Sequence, residues 1–150
     1  MKNTLFILVL MLLASCSKDP QPIDYVTKND QDIQAYIAEH NLEAQKSSSG
    51  LYYVIDELGD GAQPTATSNV TVAYKGYFLN GNVFDQSNAE GVTFNLRQVI
   101  PGWTEGITYF KEGGSGMLLV PAHLGYGNNN YRSIPGGSVL IFDINLISAN

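Results

Sequence analysis

The sequence predicts an α+β domain in which a strongly curved antiparallel β-sheet wraps around one short α-helix. Three observations predict it. From Leu51 onward, short runs of apolar and β-branched residues are separated by glycine-rich turns. One amphipathic stretch, Trp103 to Phe110, interrupts those runs. The chain of 150 residues has room for one domain of ordinary size. A curved sheet closing on a single helix is the simplest arrangement that buries both apolar surfaces.

The first residues read as a processing segment. Lys2 supplies a positive charge, and the unbroken apolar run Leu5 to Leu13 suits an export signal but falls short of the roughly 20 residues that a spanning helix needs. The run ends in Leu13-Ala14-Ser15-Cys16, with small residues before the chain's only cysteine. This resembles a bacterial lipoprotein signal. The resemblance implies removal of residues 1–15, a lipid on Cys16 and a cell-envelope location, with the domain in the periplasm and anchored to a membrane; an uncleaved anchor with an incidental cysteine is the alternative. Residues 16–28, with Pro20 and Pro22, then read as a tether, residues 29–46 as a short helix and linker, and residues 47–150 as the folded domain.

Eight basic side chains face fourteen acidic ones, for a net charge of −6. No basic stripe is present, which argues against a nucleic-acid partner and leaves the lipid to hold the membrane without polybasic help. With its one thiol used by lipid, the domain must be stable on its apolar core alone.

Asn29 or Asp30 can cap a helix, and Ile33, Tyr36 and Ile37 form its apolar stripe. Docking on the domain, a frayed linker and a contact with a second copy are all open to it. Strands follow at Leu51 to Leu58, Val70 to Phe78, Val83 to Asp85, Thr93 to Leu96, Ser115 to Val120 and Val139 to Ile147. In the last of these, Leu140, Phe142, Ile144 and Leu146 alternate with Ile141, Asp143, Asn145 and Ile147, and the first set is expected to face the core. Trp103, Ile107 and Phe110 fall on one side of the inserted helix.

Nucleophile and metal motifs are missing from the sequence: it contains no Gly-x-Ser-x-Gly, His-Glu-x-x-His or nucleotide-binding loop. Asp56, Glu57 and Asp60 are close in sequence, but alternation along a strand does not aim them at one another. No cofactor and no metal are expected, and any chemistry must need little acid or base. What stands out is a set of aromatics beside glycines: Tyr74, Phe84, Phe94, Trp103, Tyr109, Tyr126 and Tyr131.

Five segments around these residues carry a family likeness. They are Val72-Ala-Tyr-Lys-Gly-Tyr, Gly81-Asn-Val-Phe-Asp-Gln-Ser, Val99-Ile-Pro-Gly-Trp-Thr-Glu-Gly-Ile, Val120-Pro-Ala-His-Leu-Gly-Tyr-Gly, and Ile134-Pro with Leu140-Ile-Phe-Asp-Ile-Asn-Leu. In this order and spacing they resemble the FK506-binding-protein (FKBP) class of peptidyl-prolyl cis-trans isomerases, over Val70 to Ile147 and back toward Leu51. The resemblance implies an FKBP-like fold with a pocket between sheet and helix. It implies Trp103 at the pocket floor, Tyr74, Phe84 and Phe142 along the walls, Phe94 as a further aromatic, and Val99, Tyr131 and Ile134 around the rim. It implies that the Ile100 N–H and the Tyr126 hydroxyl bond carbonyls of a ligand and that Asp85 sits beside the twisting amide. Proline-containing polypeptides become the expected substrates, an exported-protein folding role the expected function, and an FK506-like macrolide a candidate ligand.

By the residues alone, alternatives stand beside these roles. Tyr74, Phe84 and Phe142 would be core residues in most β proteins, Asp85 can cap a turn, and His123 reads as a loop-packing residue. A membrane-anchored module that binds peptides in the same pocket without turning them over is the second function. The chain departs from the family pattern at the mouth: Pro101 stands where a basic residue is frequent, Asn128 to Ser133 is short, and Gly136-Gly137 replaces bulkier residues.

Overall fold

The computed structural model describes residues 22–150; the expected export signal, Cys16 and the first part of the expected tether, up to residue 21, lie outside the described residues. A 16-residue helix, α1 (Tyr25–His40), comes first. It begins four residues before the expected Asn29, because the Asp24 carboxylate accepts hydrogen bonds from the backbone N–H groups of Val26 and Thr27 and so satisfies donors that a helix start leaves open. Tyr25 to Lys28 are therefore helical and not tether. Asn41, in the left-handed region at φ 52°, ends the helix.

The strands are β1 (Gln45–Lys46), β2 (Tyr52–Glu57), β3 (Asn69–Tyr77), β4 (Val83–Gln86), β5 (Val92–Asn95), β6 (Ser115–Val120) and β7 (Leu140–Ala149). Between β5 and β6 lies α2 (Pro101–Gly106), continued by a 3-10 turn at Ile107–Tyr109, and a second 3-10 turn, Ala122–Leu124, follows β6. Only β1, two residues long, has no counterpart among the strands expected from the sequence.

All strand pairings are antiparallel, in the order β1-β2-β6-β7-β3-β4. β4 and β5 share one edge of β3: Lys75 to Tyr77 pair with β4, and Asn69 to Val72 pair with β5. This corrects the expected architecture. The sheet is neither strongly curved nor closed: it is an open seven-stranded sheet, with β1 at one edge and β4 at the other unbonded to each other.

It also does not serve a single helix. Residue alternation gives each central strand two apolar sides, and each side has its own core. On one, Leu140, Phe142, Ile144 and Leu146 of β7 join Val70 and Val72 of β3, Leu118 and Val120 of β6, and Trp103, Ile107 and Phe110 from the α2 segment. On the other, Ile141 and Leu119 would face water if nothing covered them. Ile33 of α1 packs there with Tyr52 and Val139, flanked by Tyr36 and Ile37. The Asp30 carboxylate adds a polar tie, accepting from Lys46 Nζ at 2.6 Å and from the Tyr52 hydroxyl at 2.9 Å. The Lys46 bond is the main reason its pKa lies below the usual carboxylate value.

Ile33 is fully buried in this second core. Ile33→Ala is expected to lower stability by about 2–4 kcal/mol, from lost transfer energy and the cavity left behind. Urea unfolding checks it: the midpoint should fall while the slope with denaturant stays unchanged.

Candidate active site

The pocket is a cavity of about 480 Å³ where α2 meets the sheet. Its parts come from several elements: Tyr74 from β3, Asp85 from β4, Phe94 from β5, Gln98, Val99 and Ile100 from the loop before α2, Trp103 from α2, Tyr126 and Tyr131 from the loop before β7, and Phe142 from β7.

Trp103 is 4 % exposed. Three rings meet it nearly at right angles: Tyr74 at 5.1 Å between centroids, Phe142 at 5.3 Å and Phe94 at 5.4 Å. Aromatic pairs favour this edge-to-face geometry because a positive ring edge meets a negative ring face. The indole Nε1 is buried and, among the described residues, has no hydrogen-bond partner. An unmet buried donor of this kind costs about 1–3 kcal/mol.

Ile100 is placed by its successor. Pro101 occupies the first turn of α2, where its missing N–H costs nothing, and it forces the preceding residue into extended backbone. Ile100 accordingly has φ −60° and ψ 147°, and its carbonyl starts the helix by accepting from Trp103 and Thr104. Among the described residues nothing accepts from its own N–H. The proline that departs from the family pattern thus serves as a helix start.

The polar groups are few and cooperate. The Tyr74 hydroxyl donates to Asp85 Oδ2 at 2.7 Å. Burial, and then the adjacent carboxylate, push the Tyr74 pKa far above the ordinary tyrosine value. Tyr126 is raised as well, by burial first and then by Tyr131 and Asp85. Both phenols therefore remain hydrogen-bond donors at neutral pH.

Two residues expected in the pocket are not among its lining. Phe84 is edge-on to Phe142 at 5.6 Å and tilted against Phe78 at 4.9 Å. Ile134 is buried in the core, and its backbone exchanges two hydrogen bonds with Tyr131, each 2.9 Å. Gln98 lines the cavity too, although a polar loop residue carries no periodic or chemical signal in the sequence. His123 reaches the Ser49 carbonyl at 2.9 Å, in a different groove, and His40 packs on Tyr36 of its own helix. Among the described residues, no group of three or more His, Cys, Asp or Glu side chains is arranged to hold a metal ion.

The cavity is thus walled mainly by aromatic side chains around a buried tryptophan, with a few polar groups at Tyr74, Asp85, Gln98 and Tyr126. Comparison with known proteins gives the family. Residues 61–147 match the model of the FKBP-type peptidyl-prolyl cis-trans isomerases, so this chain belongs to that family. It is 49% identical over 105 residues to the FKBP-type peptidyl-prolyl cis-trans isomerase FkpA of Buchnera aphidicola subsp. Schizaphis graminum, covering 68% of this chain and 42% of that protein. Its fold is similar to the crystal structure of FkpA from Escherichia coli, with a TM-score of 0.74 and 35% identity over 83% of this chain and 61% of the other. A peptidyl-prolyl cis-trans isomerase from Pseudomonas syringae pv. tomato matches with a TM-score of 0.71 and 26% identity, over 83% of this chain and 96% of that one. The chain spans about half the length, or less, of the FkpA relatives it matches.

Removing the Asp85 charge should bring the Tyr74 pKa partway down, while burial keeps it above the ordinary value near 10. An NMR titration of ring-labelled tyrosines in Asp85→Asn checks this. Because a raised phenol pKa stabilises the fold below the unfolded value and ceases to do so as pH rises, the variant should also lose less stability than the parent in strongly alkaline solution.

Proposed function

We propose that this chain catalyses cis/trans isomerisation of Xaa-Pro bonds in polypeptides and assists the folding of exported proteins. The observation that carries the proposal is the aromatic cavity over Trp103, bounded by the unpaired Ile100 N–H and the Tyr126 hydroxyl.

The reaction asks for little acid or base. A prolyl amide must give up its C–N double-bond character to rotate, against a barrier of about 20 kcal/mol. At the top of that barrier the nitrogen is more pyramidal, and the group is less dipolar than the planar amide. Water favours the planar form more than an aromatic enclosure does, so transfer into the cavity lowers the barrier without a covalent step. In this mechanism Trp103, Tyr74, Phe94 and Phe142 hold the proline ring, while the Ile100 N–H and the Tyr126 hydroxyl hold the carbonyls on either side. Gripping both flanks stabilises the twist between them. Asp85, through its bond from Tyr74, keeps a wall ring oriented and sets a negative field beside the rotating amide. Val99 and Tyr131 bound the mouth, and Phe84 and Ile134 act as supports for Phe142 and for the Tyr131 turn.

The test is the cis-to-trans relaxation of short Xaa-Pro peptides with purified residues 17–150. Acceleration above the uncatalysed rate is expected for at least one residue preceding proline, and no acceleration across the series sinks the proposal. Tyr126→Phe should lower turnover about tenfold, the equivalent of one hydrogen bond of roughly 1.4 kcal/mol in the transition state, with peptide affinity nearly unchanged.

For localisation, we propose a lipoprotein of the bacterial cell envelope, cleaved before Cys16, acylated there and carrying its domain in the periplasm. Support comes from Lys2, the Leu5 to Leu13 run and the small residues before the only cysteine. Among the described residues, no helix is long and apolar enough to cross a membrane. The mass of the mature protein should correspond to a lipid-modified chain starting at Cys16, and Cys16→Ser should move it from the membrane to the soluble fraction. A mature chain starting at unmodified Met1 contradicts the assignment.

A further inference from the structure

Asn29 is the one polar side chain buried among the described residues, at 1 % exposed. It lies on α1, outside the segment that matches the family. Its amide meets two backbone groups of the segment between β6 and β7: Nδ2 donates to the Gly137 carbonyl at 2.9 Å, and Oδ1 accepts from the Ala122 N–H at 2.8 Å. The two partners dictate the orientation of the amide, since flipping it would set donor against donor and acceptor against acceptor.

Ala122 and Gly137 lie near the two ends of the connection between β6 and β7 that carries Tyr126 and Tyr131. Backbone bonds tie its interior, from Gly127 N–H to the Ala122 carbonyl and from Gly137 N–H to the Gly127 carbonyl. The two tyrosines stack on each other, 4.7 Å between centroids and 7° from parallel. Yet Tyr126 is 39 % exposed and Tyr131 is 44 % exposed, so core burial does not hold them over the cavity. Their position depends on where the loop is anchored.

The unusual Gly136-Gly137 pair belongs to this anchor. At Gly137, with φ 75°, the Tyr25 ring of α1 occupies the space a Cβ would need, and at Gly136 the Asn128 carbonyl does the same. A bulkier residue at 137 would push Tyr25 of α1 off the loop, and one at 136 would collide with the loop's own backbone at Asn128.

We propose that Asn29 is a positioning residue for the pocket: by clamping Ala122 to Gly137 it holds the Tyr126–Tyr131 pair over the cavity, making α1 a working part of the site. A purely apolar contact would secure α1 equally well, and Ile33 already supplies one. What the amide adds is a fixed distance between the ends of one loop. A hydroxyl that must meet a ligand carbonyl at hydrogen-bond range is sensitive to displacements of about 1 Å.

The kinetic consequence rests on the isomerase proposal; the structural one does not. Hydrogen exchange and peptide kinetics should therefore be measured together on residues 17–150 carrying Asn29→Ala and, as a milder change in case that variant folds poorly, Asn29→Leu, which fills similar space but makes neither hydrogen bond. Expected for both is faster amide exchange confined to residues 122–137, with β6 and β7 still protected. Asn29→Ala should also lower kcat by about tenfold at a temperature where the variant is fully folded, with KM within about twofold of the parent. Unchanged exchange in the loop, or a rise spread evenly over the sheet, overturns the proposal, as does a folded Asn29→Ala variant of unchanged kcat. If the parent itself accelerates no peptide, the isomerase assignment fails, and the loop-confined exchange still decides the role of Asn29.

Discussion

Edge-to-face packing of three rings around Trp103 is the interaction on which both the core and the pocket depend. The three rings come from β3, β5 and β7, elements far apart in sequence, and the indole comes from α2. Aromatic pairs of this geometry contribute about 0.5–1.5 kcal/mol each beyond their buried area. The same contacts seat α2 on the sheet and shape the cavity floor. Stability and pocket shape are for that reason hard to change separately, and a loss at Tyr74 or Phe142 would be felt in both.

Around this floor the site divides into a rigid part and an attached part. The floor and walls stand on strands and a helix, packed against buried Val72, Leu118 and Leu146. The rim, with Tyr126 and Tyr131, stands on a loop whose side chains are half in water. Loops of this kind carry recognition because they tolerate change, but they need anchors to keep geometry. Ile100 shows one solution, a backbone donor held by a proline-started helix. The clamp from α1 is a second, made by a side chain acting across the domain.

A sheet with two apolar faces explains why one helix is not enough. In β7, Phe142 belongs to the pocket side while Ile141, its neighbour, needs cover on the other. Alternation makes this unavoidable for a central strand, since consecutive side chains point in opposite directions. α1 supplies the cover, and with a second layer in place the sheet can stay open.

Much of the local structure was legible without coordinates. Period-two runs marked β2 to β7, the stripe of Trp103, Ile107 and Phe110 marked the inserted helix, and Ile33, Tyr36 and Ile37 marked the inner side of α1. These signals are local: each depends only on which side of its own element a residue occupies. Tertiary structure alone decided the open form of the sheet, the packing of Phe84 on Phe142 and of Ile134 in the core, the entry of Gln98 into the cavity, and the burial of Asn29. Each of these depends on partners far away in the chain, 108 residues in the case of Asn29 and Gly137. Periodicity says which way a side chain points on its own element; it carries no information about what the completed fold brings to meet it.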